Sequence, residues 1–226
     1  MDIRTQDADT VTRTSRTLTW AAVLLLLFAF RLGYGLSQEF FFEDETQIFL
    51  MGLRYYATVA WPFFGPDVVW TKSEIPGALQ ALLVGWPLRV WAAPEAPFIL
   101  LNLLSFVALC AMAWYICARL PRLPRWLVWG WVMTAPWTLE YGTHIINPSY
   151  VLAPAVLFFI GFFEAVPRFS LGRIRRPVAF AMMGAATICV LQLHMSWPLL
   201  LPYAGIAWLL GGGGMAALAM DAAGYL

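Results

Sequence analysis

Long apolar runs separated by short polar loops constrain this chain more than any other feature. The runs are Leu18 to Leu36, Pro97 to Ala118, Trp126 to about Tyr141, Ser149 to Val166, Pro177 to Leu193 and Trp197 to about Leu210, with a shorter one at Gly77 to Trp91. At ~1.5 Å of rise per residue the first covers a ~30 Å hydrocarbon core with little to spare. A chain with 61% hydrophobic and 12% charged residues cannot hide that much apolar surface inside a soluble fold of 226 residues. An all-α, polytopic membrane protein is therefore expected. Tryptophans near the ends of the runs suit interfacial belts.

The first run follows a polar segment carrying Arg4, Arg13 and Arg16. It exceeds the ~7–15 residues of a signal-peptide core, and RLGYGLSQEF has no small-x-small cleavage pattern, so it reads as a retained anchor. Cys110, Cys117 and Cys189 all lie in apolar runs and read as small hydrophobes rather than as a disulfide or thiolate site. No basic stripe interleaved with aromatics appears, so nucleic acid is not an implied partner.

Positive charge sets the orientation. Short loops rich in Lys and Arg are retained on the cytoplasmic side, and two loops are strongly basic: Arg119 to Arg125, and Pro167 to Pro177 with Arg168, Arg173, Arg175 and Arg176. If Gly77 to Trp91 crossed, an inside N-terminus would put both loops outside. If it lies at the outer surface, every basic segment falls inside. The expected organisation is thus a cytoplasmic tail (1–17), a membrane module (18–210) of about six transmembrane helices with a long outer loop (37–96) containing juxtamembrane helices, and a Gly-rich tail (211–226). The outer side then gathers Glu43, Asp44, Glu45, Lys72, Glu74, Glu140, His144 and His194.

The order of elements on that side is informative. An acidic group among aromatics, FFFEDETQIFLMGLRYY, follows the anchor; then comes a Pro-containing stretch ending in IPGALQALLVGWPLRVW, and then alternating spans. Over about residues 15–210 this resembles the GT-C class of polytopic glycosyltransferases that use polyprenyl-phosphate sugars. It is most similar to the bacterial group of protein mannosyltransferases, aminoarabinose transferases and rhizobial lipopolysaccharide-core transferases. The resemblance implies the N-terminal half of an enzyme of the bacterial inner membrane, acting at its outer face, with a polyprenyl-phosphate sugar donor and membrane lipid as partners. It assigns the catalytic carboxylate to Asp44, with Glu45 beside it, and matches a second outer-loop acid to Glu140. The Pro-Pro-Leu of the family's juxtamembrane helix is represented only by Ile75-Pro76-Gly77, without the preceding His.

The chemistry fits those residue types. Transfer from a lipid phosphate needs a base for the incoming hydroxyl and cations for the departing phosphate. Arg54 and Lys72 are the outer-side cations available, and Lys72 is the chain's one lysine. His144, four residues after Glu140, would share a helical face with it and line the same cavity. Neither His144 nor His194 stands at a metal-ligand spacing to another His or Cys, so no metal site or cofactor is assigned. Glu164 is expected to pair with Arg168 and to have no functional role. The competing readings are a transporter subunit and a non-catalytic membrane scaffold or fragment.

Overall fold

The computed structural model describes residues 3–37, 43–68 and 73–211. Most of them are helical. α1 (Ile3–Leu36) is followed by α2 (Glu43–Thr58), a two-stranded antiparallel ladder of β1 (Asp67–Val68) and β2 (Ser73–Glu74), and α3 (Leu79–Val90). Then come α4 (Ala96–Arg119), α5 (Arg125–Thr134), α6 (Pro136–Thr143), a 3-10 turn at Ser149–Val151 leading into α7 (Leu152–Ala165), α8 (Arg176–Leu193), and a second 3-10 turn at Trp197–Leu200 leading into α9 (Leu201–Leu210).

Among the described residues, three helical segments are long and apolar enough to cross a membrane: Thr17–Leu36, Ala96–Arg119 and Arg176–Leu193. Their outward faces carry large apolar side chains, including the exposed Leu25, Leu26, Val107 and Ile188. A surface of that kind is consistent with a lipid surround. The other expected spans are shorter or divided. Ser149–Ala165 and Trp197–Leu210 are shorter apolar helices, and α3 has twelve residues, about 18 Å of helix and too short to cross alone.

The run Trp126 to Tyr141 is two helices because of one proline. Pro136 has no N–H to give Val132, and Ala135 takes an extended conformation that ends α5. Carbonyls around the break, Val132 O and Met133 O among them, find side-chain partners. Thr138 Oγ1 donates to Val132 O (2.8 Å) and Ala135 O (2.9 Å). Arg31, fully buried on α1, donates from Nη1 to Met133 O (2.7 Å) and from Nη2 to Thr138 O (2.6 Å). A Cβ at position 142 would collide with the guanidinium, so Gly142 makes room for this cation.

Elsewhere the helices meet through small residues. Ala179 and Ala186 of α8 and Ala207 of α9 are buried with Phe158 and Phe162 of α7, and Gly161 sits against the carbonyl of Ala179. Between lipid-facing helices close approach is the main source of packing energy, because tails are as apolar as the side chains they replace. A second core, of Leu109 and Ala113 with Val128, Val132 and Met133, joins α4 to α5.

Candidate functional site

The hairpin formed by α2 and α3 covers one end of the bundle. Gly52 lies directly against Val84, and a Cβ at Gly85 would stand 2.6 Å from the carbonyl of Gly52, so the two helices touch backbone to backbone. Beneath them Ile48, Val84 and Leu88 pack with Leu101 at the start of α4, Ile145 and Tyr150 before α7, and Leu193 at the end of α8. Gln80 of α3 donates to the carbonyl of Asn147 (2.6 Å). The expected outer loop and the segment 140–148 therefore meet at the same end. The end of α1 joins them, through an edge-to-face contact of Tyr34 with His144 and the close approach of Gly35 to Thr143.

A pocket of about 420 Å³ is built within this hairpin region, between α2 and the segment that follows it. Its walls include Arg54, Asp67 and Glu74 together with Trp61, Phe63 and Phe64. The three aromatic side chains are exposed. Gln47 Nε2 donates to Asp67 Oδ2 (2.9 Å), and the ladder places Asp67 directly opposite Glu74. The ladder is extended by backbone hydrogen bonds from Gly65 N to Ile75 O (2.8 Å) and from Ile75 N to Pro66 O (3.1 Å).

The candidate residues divide among three settings. Asp44 and Glu45 fall in the first turn of α2, where carboxylates are favoured by the helix dipole. Glu45 is buried, whereas the side chain of Asp44 and all of Lys72 lie outside the described residues. Arg54 lines the pocket, and its guanidinium has no hydrogen bond or ion pair among the described residues. Glu140 and His144 do not line that pocket.

His144 departs from the expected face-sharing with Glu140. It is the extended residue that terminates α6, and its ring Nδ1 lies 3.1 Å from the carbonyl of Glu140. Its backbone N–H donates to the same oxygen at 3.3 Å. The histidine is buried as the cap of a helix end, because a terminal carbonyl is the nearest acceptor for it.

The opposite end holds the two basic loops. Here the expected pairing of Glu164 with Arg168 is replaced by something tighter. Glu164, buried at the last turn of α7, accepts from Tyr115 Oη (2.6 Å), Ser170 Oγ (3.1 Å), and the backbone N–H groups of Leu171 (3.1 Å) and Arg173 (2.9 Å). Arg119 donates to Tyr115 Oη (3.0 Å) and to Phe169 O (2.7 Å), with its guanidinium 4.5 Å from the ring centroid of Phe163. The carboxylate is used up by donors of its own loop and of α4, and Arg168 stays exposed.

No family model, curated protein or solved structure matches this chain. Among the described residues no group of three or more His, Cys, Asp or Glu side chains could hold a metal ion. The residues that sequence reasoning missed are Arg31, whose carbonyl partners are more than 100 positions away, and Asp67, whose place opposite Glu74 depends on strand register.

Proposed function

We propose that the chain is the catalytic-loop half of a membrane glycosyltransferase of about six spans, moving a sugar from a polyprenyl-phosphate donor to an acceptor at the outer face of a bacterial inner membrane. The observation that carries this reading is the gathering of the acidic first turn of α2, the pocket bearing Arg54, and segment 140–148 at the end of the bundle opposite the basic loops. Arginine-rich loops stay in the cytoplasm, so that arrangement supports an outward-facing hairpin. In the mechanism, Asp44 takes the proton of the acceptor hydroxyl or orients it, Glu45 supports Asp44, and Arg54 or Lys72 meets the charge that develops on the leaving phosphate. Glu140 is the second acid, on the neighbouring segment.

A transport pathway is less well supported. Arg31, a buried ionisable side chain within a candidate span, has its guanidinium engaged by the backbone at the α5–α6 break.

The test is Asp44→Asn, which keeps shape but removes charge and basicity. Sugar transfer from a radiolabelled polyprenyl-phosphate donor in membranes should fall ~10²- to 10⁴-fold, the span of lost acid–base catalysis, with Glu43→Gln changing it far less. Near-normal transfer by the Asp44 variant at equal expression removes the mechanism.

A further inference from the structure

The pocket beside α2 has a composition that the transfer reading does not use. Two carboxylates, Asp67 and Glu74, stand directly across the β1–β2 ladder from each other. Like charges in that position, with Cβ atoms about 5 Å apart, destabilise a strand pair. Glu74 has no side-chain hydrogen bond among the described residues, and Asp67 has one donor, Gln47. Facing the same space are the exposed rings of Trp61, Phe63 and Phe64 and the guanidinium of Arg54, which has no ion pair among the described residues.

The backbone that carries the aromatic wall is held in an unfavourable conformation. Val59, the residue between α2 and this wall, has φ +58°, a left-handed conformation that a β-branched residue adopts only when its surroundings impose it. Its neighbours impose it here: Val59 N donates to Tyr55 O (2.9 Å), and Ala60 N to Thr58 Oγ1 (3.2 Å). Beyond the turn, residues 60–65 form one wall of the pocket and α2 another.

Paired carboxylates beside aromatic faces select a cation, and of the common biological cations an alkylammonium suits both, by ion pairing and by cation–π attraction. Arg54 adds a place for an anion close by. We propose that the pocket binds a zwitterionic phosphoethanolamine group, its ammonium on Asp67 and Glu74 among the aromatic rings and its phosphate on Arg54. The pocket lies at the end of the bundle where the long apolar helices stop, which is the depth of lipid head groups. Both phosphatidylethanolamine and free phosphoethanolamine carry this chemistry. The proposal shares Arg54 with the transfer reading and differs from it in Asp67 and Glu74.

The full-length chain in micelles doped with equal amounts of phosphatidylethanolamine and phosphatidylglycerol provides the test, with no sugar donor present. Native mass spectrometry should find the ethanolamine lipid retained about tenfold over the glycerol lipid, the size of one exposed ion pair plus one cation–π contact. The Asp67→Asn/Glu74→Gln double variant should lose that preference, while Arg54→Gln should weaken retention of both lipids. Displacement by added phosphoethanolamine assigns the site to the free head group, and resistance to it assigns the site to the lipid. Equal retention of the two lipids, or a preference that survives the double substitution, overturns the proposal. Because transfer is not measured, loss of this preference and loss of transfer in the Asp44 variant are separate results.

Discussion

The two ends of the bundle treat their carboxylates in opposite ways. At the basic-loop end Glu164 is buried and accepts from two hydroxyls and from the backbone of the loop it organises. At the hairpin end Asp67 and Glu74 are exposed and face each other, and among the described residues Asp67 has one side-chain donor and Glu74 none. A carboxylate whose lone pairs are filled by its own chain has nothing left to offer a ligand. One placed against a like charge gains from any cation that arrives. Acidity in a membrane-side loop is thus a poor guide to function until the donors around each acid have been counted.

Five substitutions sharpen that comparison. Glu164→Ala leaves two hydroxyls and at least two loop N–H groups without their acceptor, and should cost about 3 kcal/mol or more. Mixed-micelle unfolding would read the loss, and limited proteolysis should show new cleavage between residues 166 and 175; an unaltered cleavage pattern would mean that the carboxylate does not order the loop. Arg31→Met deprives the carbonyls of Met133 and Thr138 and should cost about 2 kcal/mol in the same unfolding assay. Arg31→Lys should recover only part of it, since an ammonium lacks the fork that reaches both oxygens. Full stability of the Met variant would show that the break at Pro136 needs no cap.

Tyr115→Phe removes one donor from a carboxylate that keeps its others, so about 1 kcal/mol is expected. Smallest is Asp67→Asn, which relieves a like-charge contact and should shift stability by about 0.5 kcal/mol, in the stabilising direction. A loss larger than that of Tyr115→Phe would make the acid pair a structural element and erase the contrast between the ends.

Much of the architecture was legible in the sequence because apolar runs and arginine-rich loops are local signals. The runs at 18–36, 97–118 and 177–193 correspond to long helices. The division at Pro136 was less visible, since hydropathy continues across it while the hydrogen-bond ladder does not. Non-local partners account for the rest. Nothing near Glu164 in sequence announces Tyr115, and nothing near Asp67 fixes its register against Glu74. The pocket wall at 60–65 follows Val59, held in a conformation that a valine does not advertise. The assignments of Asp44 and Lys72 fall on side chains outside the described residues, so they rest on the order of elements alone.

The seat of Arg31 has a consequence for how the protein is made. A ribosome delivers α1 to the membrane while the carbonyls that will hold its guanidinium, 102 and 107 positions later, have yet to be synthesised. Until then the cation must wait near the surface, its long side chain reaching toward water. α1 also packs on α4, which is made earlier, but Arg31 can reach its carbonyl partners only once α5 and α6 are in place, which makes it a latch for the last step in the seating of α1.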